Sequence, residues 1–201
     1  IVEYNYNKFI NMETIFNVIA SNLANKMPFK SLFKKLKDAN ISSKQKLEYL
    51  MFSAYCFYFD GDLTHTKEAL SDLINCNFDG DYDKWTWIEG GIMLQLYLDN
   101  FNNIELKNKV LATLDYGNDE LKNKIKKKAF ARRSNGLLLH TDEKSSLVNN
   151  KEVDFSKLIP YFIELLFIKA FGNGDKFTEE ELMIDLSSLE KKVKSVISQY
   201  K

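Results

Sequence analysis

The sequence predicts an all-α fold of about nine helices, arranged as stacked helical hairpins in a bundle or a short solenoid. The chain of 201 residues has only two prolines and eight glycines. Sandwiches and barrels need many more turn residues than this, so they are disfavoured. Between most of the glycines, apolar side chains recur at three- and four-residue steps, which is the spacing of one helix face. With 45% hydrophobic residues, we expect residues 1–201 to form a single α-helical domain.

The first three helices follow from apolar stripes and start signals. Apolar residues from position 9 to position 23 predict the first helix. Pro28 suits the first turn of a second, short helix, because its φ is fixed and it has no N–H to leave unpaired. Lysines between the apolar positions of this second helix face solvent. Ser42 and Gln45 form a capping-box pattern that predicts a third helix, which ends at the turn around Gly61.

Four further helices are predicted up to residue 133. The fourth starts near Thr64, and Asp81 or Asp83 caps the fifth. The sixth covers residues 104–114, and the seventh is a strongly basic helix over residues 119–133. Each of these last two is followed by a glycine that can end a helix.

The remaining part predicts an irregular segment and two helices. Residues 137–153 show no clean period, so we expect a loop there, with a short strand pair as the alternative. Residues 155–171 form an apolar helix in which Pro160 is tolerable only in the first turn. Thr178 and Glu181 form another capping-box pattern, which opens the last, amphipathic helix. The domain then has two possible sub-units, a helical-hairpin array over 1–136 and a helix pair over 154–201.

Two helix ends resemble each other at an offset of 39 residues. Tyr58-Phe59-Asp60-Gly61-Asp62 and Tyr97-Leu98-Asp99-Asn100-Phe101 both follow an aromatic-rich helix and precede another helix. Such offsets are typical of stacked helix–turn–helix repeats. The pattern Ala54-Tyr55-x-x-Tyr58-x-x-Gly61-Asp62, followed by Ala69-Leu70, resembles the tetratricopeptide family over residues 44–116. That resemblance implies a solenoid of helix pairs, whereas two similar hairpins in an ordinary bundle are the alternative.

Residues that carry catalysis or hold metals are scarce. His65, His140, Cys56 and Cys76 are the only histidines and cysteines, and none has the paired spacing of a zinc site. The acidic turns lack the glycine and the final glutamate of an EF-hand loop. Neither a phosphate-binding glycine loop nor a nucleophile elbow is present. We therefore expect no metal, no cofactor and no enzymatic activity.

The cysteine number, the apolar stretches and the net charge indicate where the protein is located and which classes of partner it binds. Two lone cysteines indicate a reducing cytoplasm, and no stretch approaches the roughly 20 apolar residues that a membrane helix needs. The first eight residues are too polar for a signal peptide. Because 28 basic residues balance 28 acidic ones, no global field favours nucleic acid or an anionic membrane. The sequence does not indicate an oligomeric state.

The neutral total conceals two segments of opposite charge. The acidic segment, residues 60–84, combines carboxylates with exposed aromatic residues of the kind that anchor interfaces. This candidate partner-binding rim consists of Asp60, Asp62, Asp79, Asp81, Tyr82, Asp83, Trp85 and Trp87. The alternative basic patch consists of Lys122, Lys124, Lys126, Lys127, Lys128, Arg132 and Arg133. Because Trp85 and Trp87 lie two positions apart, they cannot share a helix face, so we expect one in the core and one nearer the surface.

Three functions are compatible with these features. The favoured one is a non-enzymatic protein-binding module, similar in overall character to bacterial immunity proteins, which neutralise a cognate toxin by direct binding. An acidic surface suits a toxin with a basic cleft that acts on nucleic acid. The alternative is a nucleic-acid-associated factor that uses residues 119–133, with affinity falling steeply as salt rises. The third is an enzyme with a dispersed motif, in which Glu89 or Glu164 meets His65 or His140.

Overall fold

The computed structural model describes residues 14–114, 155–171 and 186–199, which contain eight α-helices and no strand. The helices are α1 (Ile15–Ala24), α2 (Phe29–Asp38), α3 (Ser43–Phe59), α4 (Leu63–Ile74), α5 (Tyr82–Leu98), α6 (Ile104–Leu114), α7 (Phe155–Phe171) and α8 (Leu186–Ser198). The all-α prediction is confirmed. The predicted basic helix over 119–133, the irregular segment 137–153 and the pattern at Thr178 and Glu181 lie outside the described residues.

Helix starts follow the chemistry of their first residues. The Ser42 hydroxyl accepts the N–H of Gln45 at 3.2 Å, and the Gln45 side chain accepts the N–H of Ser42 at 3.1 Å. This completes the predicted capping box of α3. At α5 the cap is Asp81, since one of its carboxylate oxygens accepts the N–H groups of Asp83 and Lys84. Pro28 stands at the N-cap of α2, one position earlier than a first-turn residue.

Helix α7 has the predicted bounds, but Pro160 lies in its second turn rather than its first. The expectation for this proline is therefore wrong. A proline there removes a backbone hydrogen bond and crowds the preceding turn, which costs about 3 kcal/mol. The helix forms nevertheless because it is buried on several sides, and each buried apolar side chain contributes roughly 1.5–3 kcal/mol. Its buried apolar residues are Leu158, Ile159, Tyr161, Phe162, Ile163, Leu165, Leu166, Phe167 and Ala170.

The helices pack around α5. Helix α5 contacts α3 and α4, which precede it in the chain, and α6 and α7, which follow it. Helix α7 also contacts α1 and α8, and α8 contacts α3. The two C-terminal helices therefore join the N-terminal hairpins in one bundle with a shared hydrophobic core. None of the helices in the described ranges is long and apolar enough to cross a membrane.

Two adjacent glycines in the middle of α5 allow this close packing. A Cβ at Gly90 would overlap the sulfur of Met51 on α3. A Cβ at Gly91 would lie 2.8 Å from Cδ1 of Leu73 on α4. The missing side chains therefore leave space for neighbours on two sides of α5, which offsets the lower helix propensity of glycine.

Candidate functional site

A groove with a volume of about 720 Å³ lies among α2, α3 and α4. We call it the α2–α4 groove. Half-buried apolar and aromatic side chains, Ile41, Tyr49, Leu50 and Phe57, form most of its floor, to which α3 also contributes the exposed Lys46. Helix α2 meets α3 through large rings, since the Phe33 ring centroid lies 5.3 Å from that of Phe57 and 5.9 Å from that of Tyr49.

The two sides of the groove carry opposite charge. On α2, Lys30, Lys34 and Lys37 have the i, i+4, i+7 spacing of one helix face and form what we call the basic wall. On α4, Glu68 and Asp72 are four residues apart and form the acidic wall. All five side chains are exposed. The sequence showed the three lysines as the solvent side of a helix, but the acidic wall opposite them depends on tertiary packing.

One lysine of the basic wall is held in place by a carboxylate. The Nζ of Lys30 lies 3.0 Å from Oδ2 of Asp60, whose side chain is only 4% exposed. Within the described ranges, no ion pair joins Lys34, Lys37 or Glu68 to another residue. Those charges are therefore available to a bound molecule.

His65 lines the groove beside the acidic wall. Its Nδ1 lies 2.6 Å from Oδ2 of Asp62, and its ring stacks on Phe57 with centroids 5.0 Å apart. Asp62 also accepts the backbone N–H of His65, and this bond is the main reason why the pKa of Asp62 is lowered. Such a pair can orient a histidine for catalysis. Ser53, which also lines the groove, donates its hydroxyl to the Tyr49 carbonyl at 2.6 Å and not to His65. We therefore assign Asp62 the role of N-cap of α4, since its side chain accepts the N–H of His65.

The structure keeps three acidic residues of the predicted rim at the surface. Asp79 pairs with Lys84 at 2.6 Å, and Asp83 pairs with Lys44 at 3.2 Å. Asp81 caps α5. The loop between α4 and α5 is therefore acidic but partly neutralised by neighbouring lysines, and exposed pairs of this kind are weak.

The aromatic members of the predicted rim are buried or half-buried. Trp85 is 1% exposed, so its interpretation as an exposed aromatic is wrong. Its large apolar ring packs in the core beside Phe78, and the buried Glu89 accepts the ring N–H, which would otherwise be unsatisfied. Tyr82 donates its hydroxyl to the Thr113 carbonyl at 2.8 Å. Trp87 is half-buried against Phe16, with ring centroids 5.6 Å apart. The expectation that one tryptophan is in the core and the other nearer the surface is confirmed.

The carboxylates considered for catalysis lie in the core. Glu89 is fully buried and accepts hydrogen bonds from Trp85 and from the Thr113 hydroxyl, and Glu164 is 2% exposed. His65 is exposed, so it does not share their environment. His140 and the predicted basic patch over 122–133 lie outside the described residues. In the part of the chain that the structure describes, no group of three or more metal-ligating side chains is assembled.

A second polar cluster, which the sequence did not reveal, joins α3, α5 and α8. The hydroxyls of Tyr58 and Tyr97 donate to the two carboxylate oxygens of Glu190, each at 2.7 Å. Lys194 binds the same carboxylate at 2.8 Å. Burial works to raise the pKa of Glu190, but these hydrogen bonds outweigh it and hold the pKa below its usual value. The two tyrosines occupy the matching positions of the repeated helix ends, whereas nothing local marks Glu190 as their partner.

Comparison with known proteins adds a family but no activity. Among curated proteins and among solved structures, none matches this chain. A family model matches residues 10–195, which is nearly the whole length. The chain therefore belongs to DUF6707, a family of unknown function.

Proposed function

We propose that this protein is a non-enzymatic protein-binding module that acts as a bacterial immunity protein, neutralising a cognate toxin by direct binding. The observation that carries the proposal is the α2–α4 groove, in which an apolar floor lies between charged sides. Interfaces combine an apolar centre with a polar, charged rim in this way. The floor rests on the buried core residues of α2 and α3, so the groove is preformed.

The groove suits a protein better than it suits a small molecule or a polyanion. Its volume of about 720 Å³ is in the range of small-molecule sites, but such sites enclose most of the ligand and use a few precisely placed polar groups. Here the charged groups are exposed along two helices. Glu68 and Asp72 would repel a phosphate backbone that approached the lysines opposite.

The proposed setting is the bacterial cytoplasm. Cys56 and Cys76 are both free, and Cys76 is only partly buried, which fits a reducing compartment. The acidic loop between α4 and α5, with exposed Asp79 and Asp81, would favour encounter with a basic toxin. A toxin that acts on nucleic acid has such a surface.

The test is capture of the toxin by the full-length chain, with variants inside and outside the groove. Leu50→Arg places a charge on the floor, and Leu63→Arg is its control because Leu63 is already 49% exposed and lies outside the groove. We expect wild type and Leu63→Arg to retain one stoichiometric protein partner and to block its toxicity in cells. Leu50→Arg should lose both, with its circular dichroism unchanged. Equal behaviour of the two variants, or the absence of any partner, would contradict the proposal.

The nucleic-acid alternative is supported by the basic residues 119–133. It requires binding to DNA or RNA that weakens steeply with salt. Reversal of Lys126, Lys127 and Lys128 should abolish that binding. Salt-sensitive nucleic acid in place of a protein partner would favour this alternative.

A further inference from the structure

We infer that the α2–α4 groove binds an amphipathic α-helix of the partner, with acidic side chains on the flank that faces α2 and basic side chains on the flank that faces α4. The inference rests on the proposed function only in taking the partner to be a protein. It adds the secondary structure and the charge pattern of the bound segment.

The spacing of the residues that line the two sides matches the length of a short helix. Lys30 and Lys37 are seven positions apart on α2, which corresponds to about 10 Å along the helix axis. On α4, the acidic wall spans four positions, and His65, which also lines the groove, extends that side to seven positions. A bound helix would place apolar anchors at i, i+3, i+4 and i+7 along the same distance. The groove therefore fits about two helical turns.

The floor supplies the apolar contact that such a helix needs. Ile41, Tyr49, Leu50 and Phe57 are half-buried in the free protein, so each keeps apolar surface that binding can remove from water. The Tyr49 hydroxyl already donates to the Phe33 carbonyl at 3.3 Å, which leaves the ring for contact. An apolar stripe is therefore a better match to the floor than an extended polar chain.

The walls define the flanks of the bound helix. Lys34 and Lys37 have no ion partner in the described part of the chain, and neither does Glu68. A helix with acid toward α2 and base toward α4 satisfies both sides at once. A helix with like charge on both flanks meets repulsion on one side, which discriminates against it.

Three synthetic peptides of equal length and apolar stripe test the charge pattern. One has Glu on one flank and Lys on the other, one has Glu on both flanks, and one has Lys on both. With the full-length protein at low salt, where exposed charges are least screened, we expect the mixed peptide to bind about tenfold tighter than either other peptide. The same peptide with a central proline should lose binding, because the proline breaks the helix.

Charge reversal of the protein should change the preferred peptide. Lys34→Glu with Lys37→Glu leaves Lys30, which pairs with Asp60, as the one lysine of the former basic wall. Both sides then carry mainly acidic groups and should favour the all-Lys peptide. Glu68→Lys with Asp72→Lys makes both walls basic and should favour the all-Glu peptide. Lys35→Glu and Ser71→Lys, on exposed positions of the same helices outside the groove, should leave the preference unchanged.

The outcomes separate this inference from the proposed function. The inference that the groove binds a helix would be wrong if the order of the peptide affinities did not change with the wall charges. Tight binding of the proline peptide would also contradict it. If Leu50→Arg nevertheless fails to capture the toxin, the proposed function is supported although the inferred helix is not. A dimer of the free chain that Leu50→Arg disperses would show that a second copy occupies the groove, which also overturns the inference.

Discussion

Single residues determine how stability responds to pH, and Glu48 of α3 is the clearest case. It is 4% exposed and accepts the backbone N–H of Phe16, in the first turn of α1, at 3.4 Å. Burial raises the pKa of Glu48 from 4.5 to about 7, although backbone hydrogen bonds from Phe16 and Ile15 act to lower it. The folded state thus holds this proton more tightly than the unfolded chain. The resulting stability is complete below pH 4.5 and is lost as pH rises through 7.

We expect Glu48→Gln to unfold at higher urea concentration than wild type at pH 8, with a gain of about 1–3 kcal/mol, and to differ little at pH 5. The amide stays neutral, while its oxygen can still accept the N–H of Phe16. Urea titrations at the two pH values measure the difference. Glu68→Gln, which changes an exposed glutamate, serves as the control. Parallel pH dependence in wild type and Glu48→Gln would show that Glu48 is not the titrating group.

Small residues determine how closely two helices can approach, and Gly91 does so at the contact between α5 and α4. Beyond Cδ1, a Cβ at Gly91 would also come within 3.2 Å of the Cβ of Leu73, which the backbone of α4 fixes. Rearrangement of the Leu73 side chain alone therefore cannot remove the overlap. Overpacking of this kind typically costs about 1–3 kcal/mol, more than the helix propensity gained from alanine.

We therefore expect Gly91→Ala to lower the free energy of unfolding by about 1–2 kcal/mol, although alanine is the better helix former. In a Leu73→Ala background, the same substitution should cost less, because most of the overlapping side chain is gone. Urea unfolding of the four proteins gives a double-mutant cycle, in which a coupling of about 1 kcal/mol is expected. Additive effects would mean that Gly91 and Leu73 do not limit the approach of the helices.

Local signals in the sequence explain most helix bounds but not the exceptions. The Ser42–Gln45 box and the Asp81 cap are short-range chemistry, so they predict the starts of α3 and α5 correctly. Local sequence rules tolerate Pro160 only in a first turn because they count the local penalty alone, whereas the burial that outweighs this penalty depends on the other helices. Trp85 is of a residue type that often anchors interfaces, but in this fold it lies in the core, where Glu89 accepts its ring N–H.

Across the whole molecule, the functional surface arises from helices that are distant in sequence. The basic wall is visible as lysines spaced along one helix face, but only the packing of α2 and α4 around α3 sets it opposite Glu68 and Asp72. The acidic rim, in contrast, is predicted only from the number of carboxylates in one segment of the sequence. In the structure, the buried carboxylate of Asp60 pairs with the exposed Lys30, and the carboxylate of Asp81 caps α5. Neither carboxylate is therefore free to bind a partner.

The contact between Glu190 and the two tyrosines connects parts of the chain that are far apart in sequence. Glu190 lies on α8, and Tyr58 and Tyr97 lie in the last turns of α3 and α5, so one carboxylate joins three helices. Because the pKa of Glu190 is lowered, its contribution to stability is present above pH 4.5 and is lost as pH falls below that value. This dependence is opposite in direction to that of Glu48.

We expect Glu190→Gln to lower the free energy of unfolding at pH 7 by about 1–2 kcal/mol, since an amide is a weaker acceptor for two hydroxyls and pairs poorly with Lys194. The difference from wild type should shrink as pH falls below 4.5 and Glu190 becomes protonated. Amide hydrogen exchange should increase in α8 more than in α4, because α8 loses a direct contact. Lys191→Gln, on an exposed position of the same helix, should behave as wild type. If Lys191→Gln destabilised α8 equally, general charge on this helix would explain the effect, and the three-helix contact would not be needed.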